Sequence, residues 1–207
     1  SKWRHKEKVL SVSAGIIIPI LLITTWWQVS HWKNSITIFK HAIRVTDKKY
    51  PNLALIHNNL GIALFAEQKN EEAISHFKMA IKLKPIHTKA HYNLGIALVA
   101  EQKKEEAISH YKMAIKLKPN HTNAHYNLGN ALFSMNETEE AISHYKTAVK
   151  LKPNYTNAHY NLGYALLQKG EMKEAVHHFR ETVKLRPDFV AARNHLELAL
   201  LQSQKLE

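Results

Sequence analysis

From residue 54 onward, apolar and small residues recur among polar ones at helical spacing, in blocks separated by short polar breaks. The blocks come in pairs. The first block of each pair carries "NLG" in its middle and ends near Gln68, Gln102, Asn136 or Gly170. The second is "EEAISHFKMAIKLK" or a relative of it, closed by Pro85, Pro119, Pro153 or Pro187. Proline cannot continue a helical hydrogen-bond ladder, so each pair is predicted to be helix–turn–helix. The string "AHYNLG" recurs at 90–95, 124–129 and 158–163, with "IHNNLG" at 56–61, which sets a period of 34 residues. Four units follow: 54–87, 88–121, 122–155 and 156–189.

The pattern runs past both ends of these units. In 190–204, Ala192, Leu196, Ala199 and Leu200 fall at first-block core positions while Glu197 replaces the glycine, so 190–207 reads as a capping helix and tail. Upstream, Ile36, Phe39, Ala42 and Ile43 correspond to Ile74, Phe77, Ala80 and Ile81 of a second block. Residues 31–53 are therefore expected to be an irregular first half-repeat, with four extra residues before Asn52.

A different pattern occupies the N-terminal part. After a basic flank at 1–8, residues 9–30 contain no charged side chain. About 20 helical residues cross a hydrocarbon core of about 30 Å, so this run is expected to be a transmembrane helix in contact with lipid. Trp3 lies before it, and Trp26, Trp27 and Trp32 lie at its far end, as expected for aromatic rings at the two membrane interfaces. The chain's net charge is +12, and +7 of it falls within residues 1–53. Lys2, Arg4, Lys6 and Lys8 precede the run, whereas only Lys33 follows it closely. The positive-inside rule then places the N-terminus in the cytoplasm and the repeats, after a single pass in this chain, on the other side. No Gly/Ser-rich linker separates the run from the repeats, which implies a stiff mount.

The repeated residues carry a family resemblance. Leu60-Gly61, Leu94-Gly95, Leu128-Gly129 and Leu162-Gly163 mark the first block, and Ala73, Ala107, Ala141 and Ala175 begin the second. Four residues later come Phe77, Tyr111, Tyr145 and Phe179, then Ala80, Ala114 and Ala148, with Thr182 departing, and then the proline. At this period the set resembles the tetratricopeptide-repeat (TPR) family. The resemblance implies an all-α, right-handed solenoid of stacked helix pairs, in which small residues let two helices approach and the aromatic fills the gap between them. Two positions depart from the family: His57, His91, His125 and His159 replace its Trp, and Leu64, Leu98, Leu132 and Leu166 replace its Tyr.

The resemblance also places Asn59, Asn93, Asn127 and Asn161 on first helices, whose exposed side lines the concave face in this family. A side-chain amide offers both donors and an acceptor, so a ladder of them can grip the backbone of an extended peptide. With Tyr92, Tyr126, Tyr160, Asn123 and Asn130 they form the expected partner-binding face, for a protein or peptide. The superhelix of O-linked N-acetylglucosamine transferase resembles this arrangement. The competing reading has each Asn bond a neighbouring helix. A clamp for a partner's C-terminal carboxylate, found elsewhere in the family, is not expected: Asn58 stands where its first Lys would be and Asn127 where a late Arg would be.

Other chemistry is thin. There is no Cys, and the 15 His recur with the repeat without metal-ligand spacing, so no metal and no cofactor are expected. Acids begin each second block and lysines end it, which complements the helix dipole and argues against nucleic acid as partner. No phosphate loop or catalytic triad is present, so the chain is read as a non-enzyme: a membrane-anchored TPR scaffold and accessory subunit of a membrane complex. As an alternative, the apolar run, "HWKNSITIFKHAI" and the repeats together resemble the C-terminal part of multi-spanning protein O-mannosyltransferases with TPR tails. Their catalytic part would lie outside this chain.

Overall fold

The computed structural model describes residues 35–46 and 52–204. The apolar run at 9–30 and its four tryptophans lie outside these residues. Among the described residues, no helix is long and apolar enough to cross a membrane.

The described chain is all-α. Helix α1 (Ser35–Val45) is followed by four helix pairs: α2 (Leu53–Ala66) with α3 (Asn70–Leu83), α4 (Thr88–Ala100) with α5 (Lys104–Leu117), α6 (Thr122–Phe133) with α7 (Thr138–Leu151), and α8 (Thr156–Lys169) with α9 (Met172–Leu185). Helix α10 (Val190–Gln204) closes the array. Each helix packs on its sequence neighbours, and the first helices α2, α4, α6, α8 and α10 also touch in succession, whereas the second helices make no comparable contact with one another. The first helices therefore line the tighter, inner face of a solenoid.

Local sequence explains where each helix stops. Gln68, Gln102 and Asn136 adopt φ of 61°, 60° and 63°, and Gly170 adopts 85°. At each of these left-handed residues the next amide reaches back five residues, as in Lys69 N–H to Leu64 O at 3.0 Å and Lys103 N–H to Leu98 O at 2.9 Å, closing the helix in a Schellman motif. Second helices open with acids (Glu71 and Glu72, for example) and end with Lys82, Lys116, Lys150 or Lys184 before the proline turn.

Close approach within each pair depends on the glycine. A Cβ placed on Gly95 would lie 2.5 Å from the Tyr111 ring, and one on Gly61 2.6 Å from that of Phe77. The same contact is 2.6 Å at Gly129 and relaxes to 3.0 Å at Gly163. Thr182, the departure from the alanine pattern, is fully buried and satisfies its hydroxyl by donating to His178 O at 2.9 Å.

Exposed lysines tie one repeat to the next. Lys78–Glu106, Lys112–Glu140 and Lys146–Glu174 pair at 3.8, 2.9 and 2.8 Å, and Lys40 on α1 pairs with Glu72 at 3.5 Å in the same way. Such solvated pairs contribute about 0.2–1 kcal/mol each at most, so packing holds the array and the pairs adjust its register.

Candidate functional site

The inner face is built from the asparagines and tyrosines of the first helices. Each Asn turns out to be half-buried, and Asn93, Asn127 and Asn161 reach back to the preceding repeat. Asn93 Nδ2 donates to Asn58 Oδ1 at 3.0 Å, Asn127 Nδ2 to the Tyr92 hydroxyl at 3.2 Å, and Asn161 Nδ2 to the Tyr126 hydroxyl at 3.1 Å. Asn59 has no tyrosine before it and accepts from Asn58 Nδ2 at 3.3 Å. Asn123 is exposed at the start of α6, beside the Tyr92 hydroxyl.

The tyrosines lie at the same joints. Tyr92 packs against Tyr111 in its own repeat and, at 4.8 Å between centroids, against His121 of the next turn. Tyr126 meets Tyr145 and Tyr155, and Tyr160 meets Phe179 and Phe189, in the same way. The Tyr160 hydroxyl pairs with His195 Nδ1 of α10 at 3.1 Å. These residues thus couple repeats, so the competing structural reading holds for the donor groups of Asn93, Asn127 and Asn161, and Asn161 spends two donor bonds on the preceding repeat. The bond to the preceding repeat leaves the amide oxygen out of it.

Where the ladder is incomplete, a cavity opens. It encloses about 390 Å³ at the step from repeat 2 to repeat 3 and is lined by Ile96, Val99, Tyr111, Ala131, Asn127, Asn130, Ser134, Gln102 and Lys104. The flanking steps put bulk at the corresponding places. Phe65 and Ile96 occupy them between repeats 1 and 2, and Phe133 and Tyr164, meeting edge-on at 5.8 Å, occupy them between repeats 3 and 4. Val99 and Asn130 are the smaller pair, and the difference in volume is the cavity.

The polar wiring differs as well. In repeat 3, Asn130 Oδ1 collects two donors, the Tyr145 hydroxyl at 2.8 Å and Asn161 Nδ2 at 2.8 Å. One repeat earlier the place of Asn130 is taken by Ile96, which accepts nothing. Without that acceptor the Asn127 amide donates to the Tyr111 hydroxyl, whose own proton has no counterpart of Asn130 to go to. Tyr111 is only 2% exposed, and burial pushes its hydroxyl far up, so it remains a proton donor. Lys104 stands at the rim with no acidic partner among the described residues; at the equivalent place in repeat 1, Asn70 instead donates to Glu101 at 2.9 Å.

Sequence reasoning singled out Asn127 and Asn130 of this cavity and missed Tyr111, Lys104, Gln102, Ile96, Val99 and Ser134. The available signal was the break in the repeat itself, Val between two Phe at one position and Ile followed by Asn at another.

The histidines do a separate job between the two helices of each repeat. Nδ1 atoms meet in His57–His76 at 2.9 Å and in His91–His110, His125–His144 and His159–His178 at 3.0 Å. His91, His125 and His159 also donate through Nε2–H to the carbonyls of Pro85, Pro119 and Pro153. A neutral ring that donates from Nε2 must accept at Nδ1, so the partner ring donates into it. Burial, then the facing imidazole, pushes His110 and His144 down, and takes His178 to about 4. Among the described residues, no group of three or more His, Cys, Asp or Glu could hold a metal ion. His87 and His121 instead cap α4 and α6 by accepting from Ala90 N and Ala124 N.

Comparison with known proteins bears on this array. No curated protein matches the chain significantly in sequence. Among solved structures, MamA is 28% identical and superposes with a TM-score of 0.68, covering 73% of this chain and 86% of its own. The first TPR of Spaghetti (RPAP3), solved bound to an HSP90 peptide, is 26% identical with a TM-score of 0.56, over 56% of this chain and 93% of its own. YrrB, described as a TPR protein with an unusual peptide-binding site, has a TM-score of 0.72 at 22% identity, over 80% of this chain and 84% of its own, and shares the fold. Two family profiles, "Tetratricopeptide repeat" over 54–87 and 156–189 and "TPR repeat" over 97–136 and 129–170, together span more than half of the 207 residues. The chain belongs to the tetratricopeptide-repeat family.

Proposed function

We propose that this TPR array is a membrane-held scaffold whose inner face binds an extended segment of another protein. The observation that carries the reading is the cavity in that face, with an apolar floor and a rim of amides, at the middle of the array. Peptide-bound and peptide-binding neighbours of the same fold support it. The Asn ladder then has two tasks, joining repeats through its N–H groups and offering its amide oxygens to a backbone. The uncharged run at 9–30 acts as a spanning helix with its tryptophans at the interfaces, and the repeats lie on the extracytoplasmic side. An array mounted this way holds its partner beside the bilayer, as an accessory subunit of a membrane complex would.

Site-specific photocrosslinking in native membranes tests the binding face. A crosslinker at exposed Asn123 should join the chain to a discrete partner polypeptide, while one at exposed Ser75 on the outer side of α3 should not. Equal yields from both positions, or none from either, would contradict the reading. Alkaline carbonate washing tests the anchor: release of the full chain into the supernatant would exclude a spanning helix.

A further inference from the structure

We infer that the cavity between repeats 2 and 3 is a receptor for a carboxylate side chain, Asp or Glu, carried by the bound segment. The inference rests on the peptide-binding reading above and adds the chemistry of the residue that is recognised.

The array supplies its own control. In repeat 3, a tyrosine hydroxyl and an asparagine N–H converge on one oxygen, Asn130 Oδ1, at 2.8 Å each. The same two donors recur one repeat earlier as the Tyr111 hydroxyl and the Asn127 amide, and there the converging oxygen is absent because Ile96 stands in the place of Asn130. The Tyr111 hydroxyl accepts from the Asn127 amide and still has its own proton to donate, so an oxygen brought by a ligand to this point meets a donor already in position. The loss of Asn130's counterpart coincides with the loss of a large residue at position 99, so the donors face a space large enough to admit a side chain.

Charge selects the kind of oxygen. No acid lines the cavity, and Lys104 at its rim has no carboxylate partner among the described residues. Lys78 and Lys112, by contrast, are already paired with Glu106 and Glu140. A carboxylate accepts from the Tyr111 hydroxyl with one oxygen and from the ammonium with the other, whereas a carboxamide would turn its NH2 group toward Lys104. Ile96, Val99 and Ala131 accommodate the methylene stem. None of these groups belongs to the lysine clamp for chain termini that Asn58 and Asn127 exclude, so an internal Asp or Glu is the expected guest.

The full chain in detergent micelles is probed with an array of random dodecapeptides, acetylated and amidated at their ends so that only side chains carry carboxylates. Bound peptides should require Asp or Glu at one position, and replacing that residue by Asn or Gln should weaken binding by about tenfold or more. Tyr111→Phe and Lys104→Gln should each weaken acidic peptides and leave their amide versions unchanged. Ile96→Asn, which restores the internal oxygen, should remove the acid requirement. Circular dichroism confirms that each variant is folded, and Tyr111→Phe, which loses only the bond from the Asn127 amide, keeps the test decisive should Ile96→Asn misfold. Peptides that bind with no acid requirement, or an acid requirement untouched by Tyr111→Phe, would overturn the inference while leaving peptide binding standing. An array on which nothing binds would overturn both.

Discussion

The joint between repeats 2 and 3 and the joint between repeats 3 and 4 are built from the same parts, yet only one of them is complete. At the second joint Asn130, Tyr145 and Asn161 close a three-way hydrogen-bonded node, and Phe133 and Tyr164 fill the space beside it. At the first, Ile96, Tyr111 and Asn127 leave the node without its acceptor, and Val99 with Asn130 leaves the space open. A repeat protein can thus make a binding site by omission, retaining the scaffold's donors and deleting the group that would occupy them. Repeat 1 shows a third solution, in which Phe77 has no hydroxyl to satisfy and buried Asn58, 1% exposed, receives Asn93 directly.

The largest expected effect comes from disturbing the floor of the open joint. Gly95→Ala would drive a Cβ to 2.5 Å from the Tyr111 ring and should cost about 1–3 kcal/mol in urea unfolding. Gly163→Ala, with 3.0 Å available, should cost less than Gly95→Ala. Equal losses would mean that the helix pairs of repeats 2 and 4 are equally tight.

The hydroxyls offer a sharper contrast. Tyr145→Phe removes a 2.8 Å bond to Asn130 and should destabilise by about 0.5–1.5 kcal/mol, while Tyr111→Phe, which loses only the bond from the Asn127 amide, should cost less. A Tyr111→Phe loss as large as that of Tyr145→Phe would show that Tyr111 already has an acceptor.

Acid should loosen both joints alike, because the histidine pairs lie outside the node. Burial holds His76, His110, His144 and His178 below their ordinary value of 6.5, His178 at about 4. Below 6.5 the unfolded chain therefore binds more protons than the folded one. The stability these pairs contribute is complete above that pH and falls as pH drops from 6.5 toward 4. Urea midpoints between pH 7.5 and 4.5 check this, and flat midpoints would remove the pairs from the account.

The smallest effect concerns the turns. Gln68 holds φ of 61°, which a glycine adopts without strain, so Gln68→Gly should raise the thermal midpoint slightly, by no more than about 1 kcal/mol of stability. A fall in the midpoint would imply a role for the Gln68 side chain.

Much of the fold was legible in the sequence because it resides in positions that repeat every 34 residues. The Leu-Gly pairs, the second-helix alanines and the aromatics each occupy one environment four times, and their chemistry alone argues two closely packed helices. The site was legible only in part. The Asn ladder was expected to be exposed, whereas Asn93, Asn127 and Asn161 are half-buried and bonded to residues 35 earlier, as Asn127 is to Tyr92. The histidines that replace the family's Trp form hydrogen-bonded pairs with histidines 19 residues on, as His91 does with His110. The cavity depends on Val99 and Asn130 being small together, and a per-repeat reading compares each with its counterparts rather than with the other.

A double-mutant cycle between Ile96→Asn and Tyr111→Phe, followed by urea unfolding, tests the central claim most directly. If Tyr111 lacks an acceptor in the native joint, an asparagine at 96 supplies one, and Tyr111→Phe should become more costly in that background. The predicted coupling is about 0.5–1.5 kcal/mol, matching the bond that Asn130 makes with Tyr145. A coupling of zero, with Tyr111→Phe equally costly in both backgrounds, would contradict the account.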